Sequence, residues 1–265
     1  MSVILKGAIR LYYYLNEEIA DKRSQEWFLM RNPWPGLVII GIYLLAVFKW
    51  LPEYMKKRAA YDLRVVIAIY NVIQIIGCMY IVYQSLVLGW LNHYRFVCQP
   101  VDHGPNSVEY AWKVCYLYFV IKMMDLLDTV FFILRKKQNQ VTFLHVYHHF
   151  GMVMVAWGMV KWVPGGHVTL LVPVNSLVHI IMYSYYLLTI WDEAYKQSLW
   201  WKKHVTQIQI LQFLLLLIHF ILVVTIPDCA VPRQPAYILI PQNLFMVILF
   251  VDFYYRSYIK TVKQA

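Results

Sequence analysis

Charge is what this sequence has least of. Asp, Glu, Lys and Arg make up 14% of its 265 residues, against about 25% in a typical soluble domain. A water-soluble globular fold is therefore not the default reading. No Gly/Ser-rich or Pro-rich stretch marks a linker, and no low-complexity segment or internal repeat stands out. The chain reads as one domain over residues 1–265. No run of alternating apolar and polar residues resembles the strands of a membrane barrel. Asn-x-Ser/Thr triplets are absent, which excludes N-glycosylation. Residues 1–34 hold no long apolar core, so no cleavable signal peptide is expected there. There is no Gly-x-Ser-x-Gly elbow, and none of the four cysteines lies near the histidine cluster described below.

Apolar residues supply 61% of the chain, arranged in long runs. Seven runs, near residues 35–51, 65–90, 110–134, 142–163, 168–190, 204–226 and 236–258, are long enough to cross roughly 30 Å of hydrocarbon as helices. The expected fold is all-α and integral to the membrane. The formal charge of +10 does not point to nucleic acid, because the cations fall in short clusters between apolar runs. Lys56, Lys57, Arg58 and Arg64, then Arg135, Lys136 and Lys137, then Lys196, Lys202 and Lys203, then Arg256, Lys260 and Lys263 share one side of the resulting topology. Only Arg95, Lys161 and Arg233 fall on the other. The positive-inside rule places the richer side, and the C-terminus, in the cytosol. The N-terminus is then on the far side, although its own segment carries five Lys and Arg. Cys98 and Cys229 both fall in far-side loops. If that side is the lumen they are positioned to form a disulfide; two free thiols are the other reading. Cys78 and Cys115 lie inside spans as packing residues.

Ionisable groups within spans are costly and mark functional sites by default. The third span carries Lys122, Asp125, Asp128 and Thr129 in "KMMDLLDT". The fourth carries His145, His148 and His149 in "HVYHH", which share one helical face. The fifth places Asn175, His179, Met182, Tyr183 and Tyr186 on one face, and the sixth brings Thr206, Gln209 and Gln212. Counted at about 1.5 Å per residue, these groups collect in the cytosolic half, as one buried polar chamber. His219 lies deeper, either lining the far end of that chamber or bonding between helices. Two chemistries fit the residues. His-x-x-His-His resembles one histidine box of di-iron desaturases, and a single zinc on His145, His148 and His179 is conceivable, but a di-iron site needs more boxes than one cluster provides. No metal is therefore expected. Alternatively, a neutral buried imidazole is a nucleophile or base, oriented by the acids of the third span. A thioester substrate would then give an acyl-imidazole.

The blocks "KMMDLLDTVFFILRKK", "FLHVYHH", "NSLVHIIMYSYY" and "KKHVTQIQILQF", in this order, resemble the very-long-chain fatty acid elongase (ELO) family over roughly residues 25–260. The resemblance implies a seven-helix enzyme of the endoplasmic reticulum membrane. Its second to seventh helices form a six-helix barrel around a substrate tunnel, with the first helix outside. It implies condensation of an acyl-CoA with malonyl-CoA to 3-ketoacyl-CoA, CO2 and CoA, the first step of each elongation cycle, with no bound cofactor. Mapped on this chain, His148 accepts the acyl group and His179 faces it. His145 and His149 orient it or share protons. Asn175, Tyr183, Gln209 and Gln212, together with Thr206, position substrate. Lys122 and Asp128 form a buried pair beside Asp125, and Arg135, Lys136 and Lys137 hold CoA phosphates. Membrane lipid and the ketoacyl-CoA reductase, dehydratase and enoyl-CoA reductase of the cycle are the implied partners. Two departures stand out. The family's Lys-x-x-Glu-x-x-Asp-Thr has Asp125 at its Glu position, and the tail "IKTVKQA", with Lys260 and Lys263, matches a dilysine retrieval signal imperfectly. A seven-helix lipid-binding or transport protein and a metal-dependent desaturase are the competing functions.

Overall fold

The computed structural model describes residues 3–260 and contains no β-strand among them; Lys263 and the rest of the proposed retrieval signal beyond Lys260 lie outside the described residues. The helices are α1 (Val3–Tyr13), α2 (Trp34–Met55), α3 (Arg64–Trp90), α4 (residues 107–134), α5 (Phe143–Trp162), α6 (His167–Trp191), the short α7 (Glu193–Gln197), α8 (Leu199–Thr225) and α9 (Gln234–Lys260). Five of them, α2, α3, α6, α8 and α9, are long and apolar enough to cross a membrane. The chain is thus an all-α membrane protein. Helices α4 and α5 are also long, but they carry the ionisable residues. Lys113, Lys122, Asp125 and Asp128 interrupt α4, and three histidines with Lys161 interrupt α5. Polar side chains that enter a buried site lower the apolar content by which a span is recognised.

Neighbouring helices pack in a closed order: α3 on α4, α4 on α5, α5 on α9, α9 on α8, α8 on α6 and α6 back on α3. Helix α2 stands outside, against α4. It buries Ile40, Tyr43 and Val47 and leaves Val38, Ile42, Leu45 and Phe48 exposed. Exposed apolar residues of this kind on α2, α3, α8 and α9 have no aqueous rationale and suit lipid.

Local signals set the helix ends. The Thr142 hydroxyl accepts from the His145 N–H at 3.2 Å and starts α5, while Ser198 caps α8 through Trp201. Helix α4 stops where Lys136 takes a left-handed φ of 55°. The Lys136 and Lys137 amides then turn back to the Ile133 and Phe132 carbonyls, satisfying acceptors a helix end leaves free.

The end of the molecule opposite Arg135–Lys137 is closed by loops. Cys98 and Cys229 are disulfide-bonded, 131 residues apart in sequence. They tie the α3–α4 connection to the α8–α9 connection. Gly166 takes a φ of +92° there, and a Cβ would meet the Pro100 carbonyl oxygen at 2.6 Å. Only glycine fits this contact. His167 and His219 exchange reciprocal bonds, each Nε2 meeting the other's carbonyl oxygen at 2.9 and 3.0 Å, with rings stacked 3.6 Å apart. His219 therefore links α6 to α8.

The chain before α2 is more ordered than its sequence suggests. Helix α1 forms ahead of the first apolar run, and residues 15–31 strap the loop end. The Trp162 and Trp157 indoles donate to the carbonyls of Leu15 and Leu29, both at 2.8 Å. Lys161, in the last turn of α5 on the far side, is buried and donates to the carbonyls of Met30 and Arg31 at 2.9 and 3.2 Å. Arg23 grips Asp21 and reaches the carbonyls of Asp102 and Pro164.

Two predictions test these closures. Cys98→Ser should lower unfolding free energy by about 2–5 kcal/mol, read as a fall in the thermal midpoint in detergent that reductant reproduces in the parent protein. Lys161→Met should cost about 2–3 kcal/mol, because it leaves two buried carbonyls without their charged donor. Increased proteolysis of residues before α2 would report the loosened strap.

Candidate active site

Inside the ring, α3, α4 and α6 build a polar core from side chains one or two turns apart. On α4, Lys122 and Asp125 are three residues apart and meet as an ion pair at 2.9 Å. Both are buried, 1% and 3% exposed. The expected partner, Asp128, is not the one Lys122 takes. Six residues along a helix amount to about 9 Å of rise and a rotation off the shared face, whereas the i, i+3 position of Asp125 is adjacent. The same ammonium contacts both ring nitrogens of His179, at 3.2 Å to Nε2 and 3.5 Å to Nδ1, and lies 4.9 Å over the Tyr118 ring. His179 Nδ1 is 3.8 Å from the Asp125 carboxylate.

Tyr183, one turn beyond His179 on α6, brings its hydroxyl to Asp125 at 3.0 Å and Asp128 at 2.8 Å. Two residues of α3 complete the cluster. Gln74 donates to Asp125 at 2.7 Å and to the Tyr70 hydroxyl at 2.8 Å, and Tyr70 lies 3.3 Å from the Tyr183 hydroxyl. Tyr70 and Gln74 were missed in the sequence. Their signal was an i, i+4 polar pair inside an otherwise apolar run, but both are uncharged and so did not stand out against ordinary interhelical bonding.

The three histidines of α5 have different surroundings. His145 Nε2 bonds to Thr129 Oγ1 at 3.0 Å, and Tyr43 of α2 bonds to the same hydroxyl at 2.8 Å. His145 and His149 rings lie 4.1 Å apart. His148 packs edge-on to Phe213 and Phe250, with centroids 6.1 and 6.3 Å away. Nε2 of His148 and Nδ1 of His149 are buried and have no hydrogen-bond partner among the described residues. A buried polar atom left unpaired is costly, so these nitrogens are the groups of the cluster free to engage a ligand. His148 and His149 interact electrostatically with Lys122, Asp125 and His179, which places all five in one neighbourhood.

Phe213 also lines a narrow apolar cleft between α5, α6, α8 and α9. Its walls are mostly Met152, Val155, Leu171, Leu216, Leu239 and Met246, with Asn175, Gln242 and Asn243 as polar groups. Asn175 accepts from Tyr118 at 2.9 Å and donates to Gln212 at 3.3 Å.

Several expected site residues lie outside this network. Gln209 bonds to the Met182 sulfur at 3.5 Å. Thr206 bonds to the Lys202 carbonyl and lies 3.3 Å from the Tyr258 hydroxyl. Arg135, Lys136 and Lys137 sit on the turn between α4 and α5, and Cys98 and Cys229 are at the opposite end. Among the described residues, no three His, Cys, Asp or Glu side chains are grouped so as to hold a metal ion.

Breaking the ion pair on one side should be severe. Lys122→Met is expected to cost about 3–5 kcal/mol, because it strands a buried carboxylate. Lys122→Met combined with Asp125→Leu should recover part of that loss in thermal unfolding, as the double-mutant comparison would show.

Residues 28–265 match the model of the GNS1/SUR4 (ELO) family. The chain is 42% identical over 261 residues to a protein named very long chain fatty acid elongase 4 of Homo sapiens, covering 97% of this chain and 82% of that one. It is 37% identical over 245 residues to very long chain fatty acid elongase 7 of Rattus norvegicus, covering 91% and 86%. With very long chain fatty acid elongase 7 of Drosophila melanogaster the identity is 36% over 248 residues, covering 93% and 75%.

Proposed function

The chain belongs to the GNS1/SUR4 (ELO) family, and from that premise we propose that it elongates very-long-chain fatty acids as the condensing enzyme of the cycle. It joins a long-chain acyl-CoA to malonyl-CoA and yields 3-ketoacyl-CoA, CO2 and CoA, as a 3-oxoacyl-CoA synthase. The observation that carries this reading is the unpartnered Nε2 of His148, buried beside Phe213, which also lines the apolar cleft. A nucleophile at the rim of an apolar cleft can take the acyl group from a thioester while the chain parts the apolar side chains beyond it. His148 is then acylated and His179 faces the reaction. His149 and His145 orient the ring, and Asn175 and Gln212 hold the thioester. Asp125 and Lys122 fix the charge distribution of the chamber. Gln209, Thr206 and the Arg135–Lys137 turn lie further out, where they meet the malonyl and CoA portions.

The same reading makes all seven long helices, α2 to α6, α8 and α9, membrane spans of the endoplasmic reticulum. The N-terminus and the disulfide face the lumen, and the Arg135–Lys137 turn faces the cytosol. The six-membered ring is a barrel around the acyl tunnel, with substrates entering from the cytosolic side and no bound cofactor. The product passes to the ketoacyl-CoA reductase, dehydratase and enoyl-CoA reductase.

The test uses the purified protein in detergent. With a panel of acyl-CoAs and labelled malonyl-CoA, mass spectrometry should find 3-ketoacyl-CoA. Intact-protein mass should show an acyl adduct when malonyl-CoA is omitted. His148→Ala should abolish the adduct and lower turnover at least about 1,000-fold, as loss of a covalent nucleophile does. A full adduct in His148→Ala would reject His148 as nucleophile. No product from any acyl-CoA would reject condensation.

A further inference from the structure

Hydrogen counting around Tyr183 gives Asp128, expected from the sequence as the partner of Lys122, a different role. Three oxygens stand in line: Asp125 Oδ1, the Tyr183 hydroxyl and Asp128 Oδ2, separated by 3.0 and 2.8 Å. Two such contacts each need a hydrogen, and Tyr183 has one. Gln74 spends its two amide hydrogens on Asp125 and on the Tyr70 oxygen. Tyr70 has one hydrogen to divide among the Met124 carbonyl and Tyr183, both at 3.3 Å, and Asp128; wherever it goes, one of the two Tyr183–carboxylate contacts still lacks a hydrogen. If both carboxylates were ionised, one would face an oxygen lone pair of the fully buried Tyr183 at about 3 Å. A second proton removes the conflict. Asp125 has the Lys122 ammonium at 2.9 Å and is the natural anion. Asp128 is bonded by the Tyr183 and Tyr70 hydroxyls and by no cation among the described residues. The other groups that face it are the phenols Tyr43 and Tyr186, the Asp125 carboxylate and, beyond that, the Lys122 ammonium.

We propose that Asp128 holds a proton and feeds a relay, through Tyr183, Asp125 and Lys122 to His179, that returns one proton to the catalytic imidazole in each turnover. The inference rests on the condensation reading above. Acylation of His148 needs no outside proton, since the imidazole N–H proton leaves with the CoA sulfur. Discharge does need one. The malonyl carboxylate departs as CO2, and its electron pair forms the new C–C bond to the acyl carbon. The acyl C–N bond then breaks with its electrons on imidazole. The imidazole becomes neutral only by gaining a proton, so one proton is taken up per cycle. In the relay each group passes on one hydrogen and receives one: Asp128 to Tyr183, Tyr183 to Asp125, Asp125 to Lys122, and Lys122 to His179, which neighbours His148. Asp128 is the half-buried member, six residues from the end of α4, whereas Tyr183, Asp125, Lys122 and His179 are all buried. The relay therefore starts at its one partly exposed carboxyl and passes into the buried cluster. Asp128 and Tyr183 are positioning residues in this scheme, acting through His179.

Two independent readouts test it on the full-length protein in detergent. The first is infrared. The parent should show the C=O stretch of an un-ionised carboxyl, shifted by D2O, lost in Asp128→Asn and displaced in Tyr183→Phe. Asn keeps the size of the group and can still donate to Tyr183, so the fold is preserved. No such band in the parent, or a band unaltered in Asp128→Asn, would overturn the proposal. The second separates the half-reactions by rapid mixing. In both variants the rate of adduct discharge by malonyl-CoA, relative to the rate of acylation, should fall on the order of 100-fold. Discharge should also lose its solvent deuterium isotope effect. A ratio and isotope effect equal to the parent's would overturn the relay. If the parent itself forms no adduct, the condensation reading fails and takes the relay's role with it, while the infrared result still reports whether Asp128 is protonated.

Discussion

An ammonium deep among membrane helices constrains everything around it. Lys122 cannot stay charged there without compensation, because removing an unpaired ion from water costs far more than the fold can supply. Asp125 provides the opposite charge, and its own remaining lone pairs then need donors. Gln74 from α3 and Tyr183 from α6 supply them. Three helices distant in sequence are thereby fixed in register by one buried pair. His179 is placed by the same ammonium, so the geometry of the site and the packing of the ring are one problem solved together.

The histidines of α5 show a second division of labour. His145 is spent on structure: it reaches Thr129, which Tyr43 also holds, so the outer helix α2 is tied to the site through one shared hydroxyl. His148 and His149 keep nitrogens without protein partners. Three identical side chains in five positions thus differ because helix packing presents one outward to α4 and α2 and leaves the others facing the interior. The cleft that begins at Phe213 lies on that interior side.

Much of this was legible in the sequence because it is written in charge. Lys122 and Asp125 announce themselves by sitting in an apolar run, and the His-x-x-His-His spacing marks a face. The partner chosen by Lys122 was misjudged: the family pattern drew attention to Asp128, whereas helical geometry favours the residue three positions away. Gln74, Tyr70 and Tyr118 were invisible because a neutral polar residue in a membrane helix has too many ordinary explanations. The strap before α2 was hidden for a different reason. Its bonds use main-chain carbonyls, which leave no imprint on composition, and the donors Trp157, Lys161 and Trp162 lie more than a hundred residues downstream.

That last property has a consequence for how the strap can change over time. A bond to a carbonyl oxygen is indifferent to the side chain on the same residue. Leu15, Leu29 and Arg31 could be replaced by residues of other kinds without removing an acceptor, provided the backbone path is kept. The donors have less freedom, since a replacement must carry an N–H or O–H to the same carbonyl. Sequence drift should therefore be tolerated on the strap and resisted on the end of α5, so two surfaces in intimate contact would evolve at different speeds.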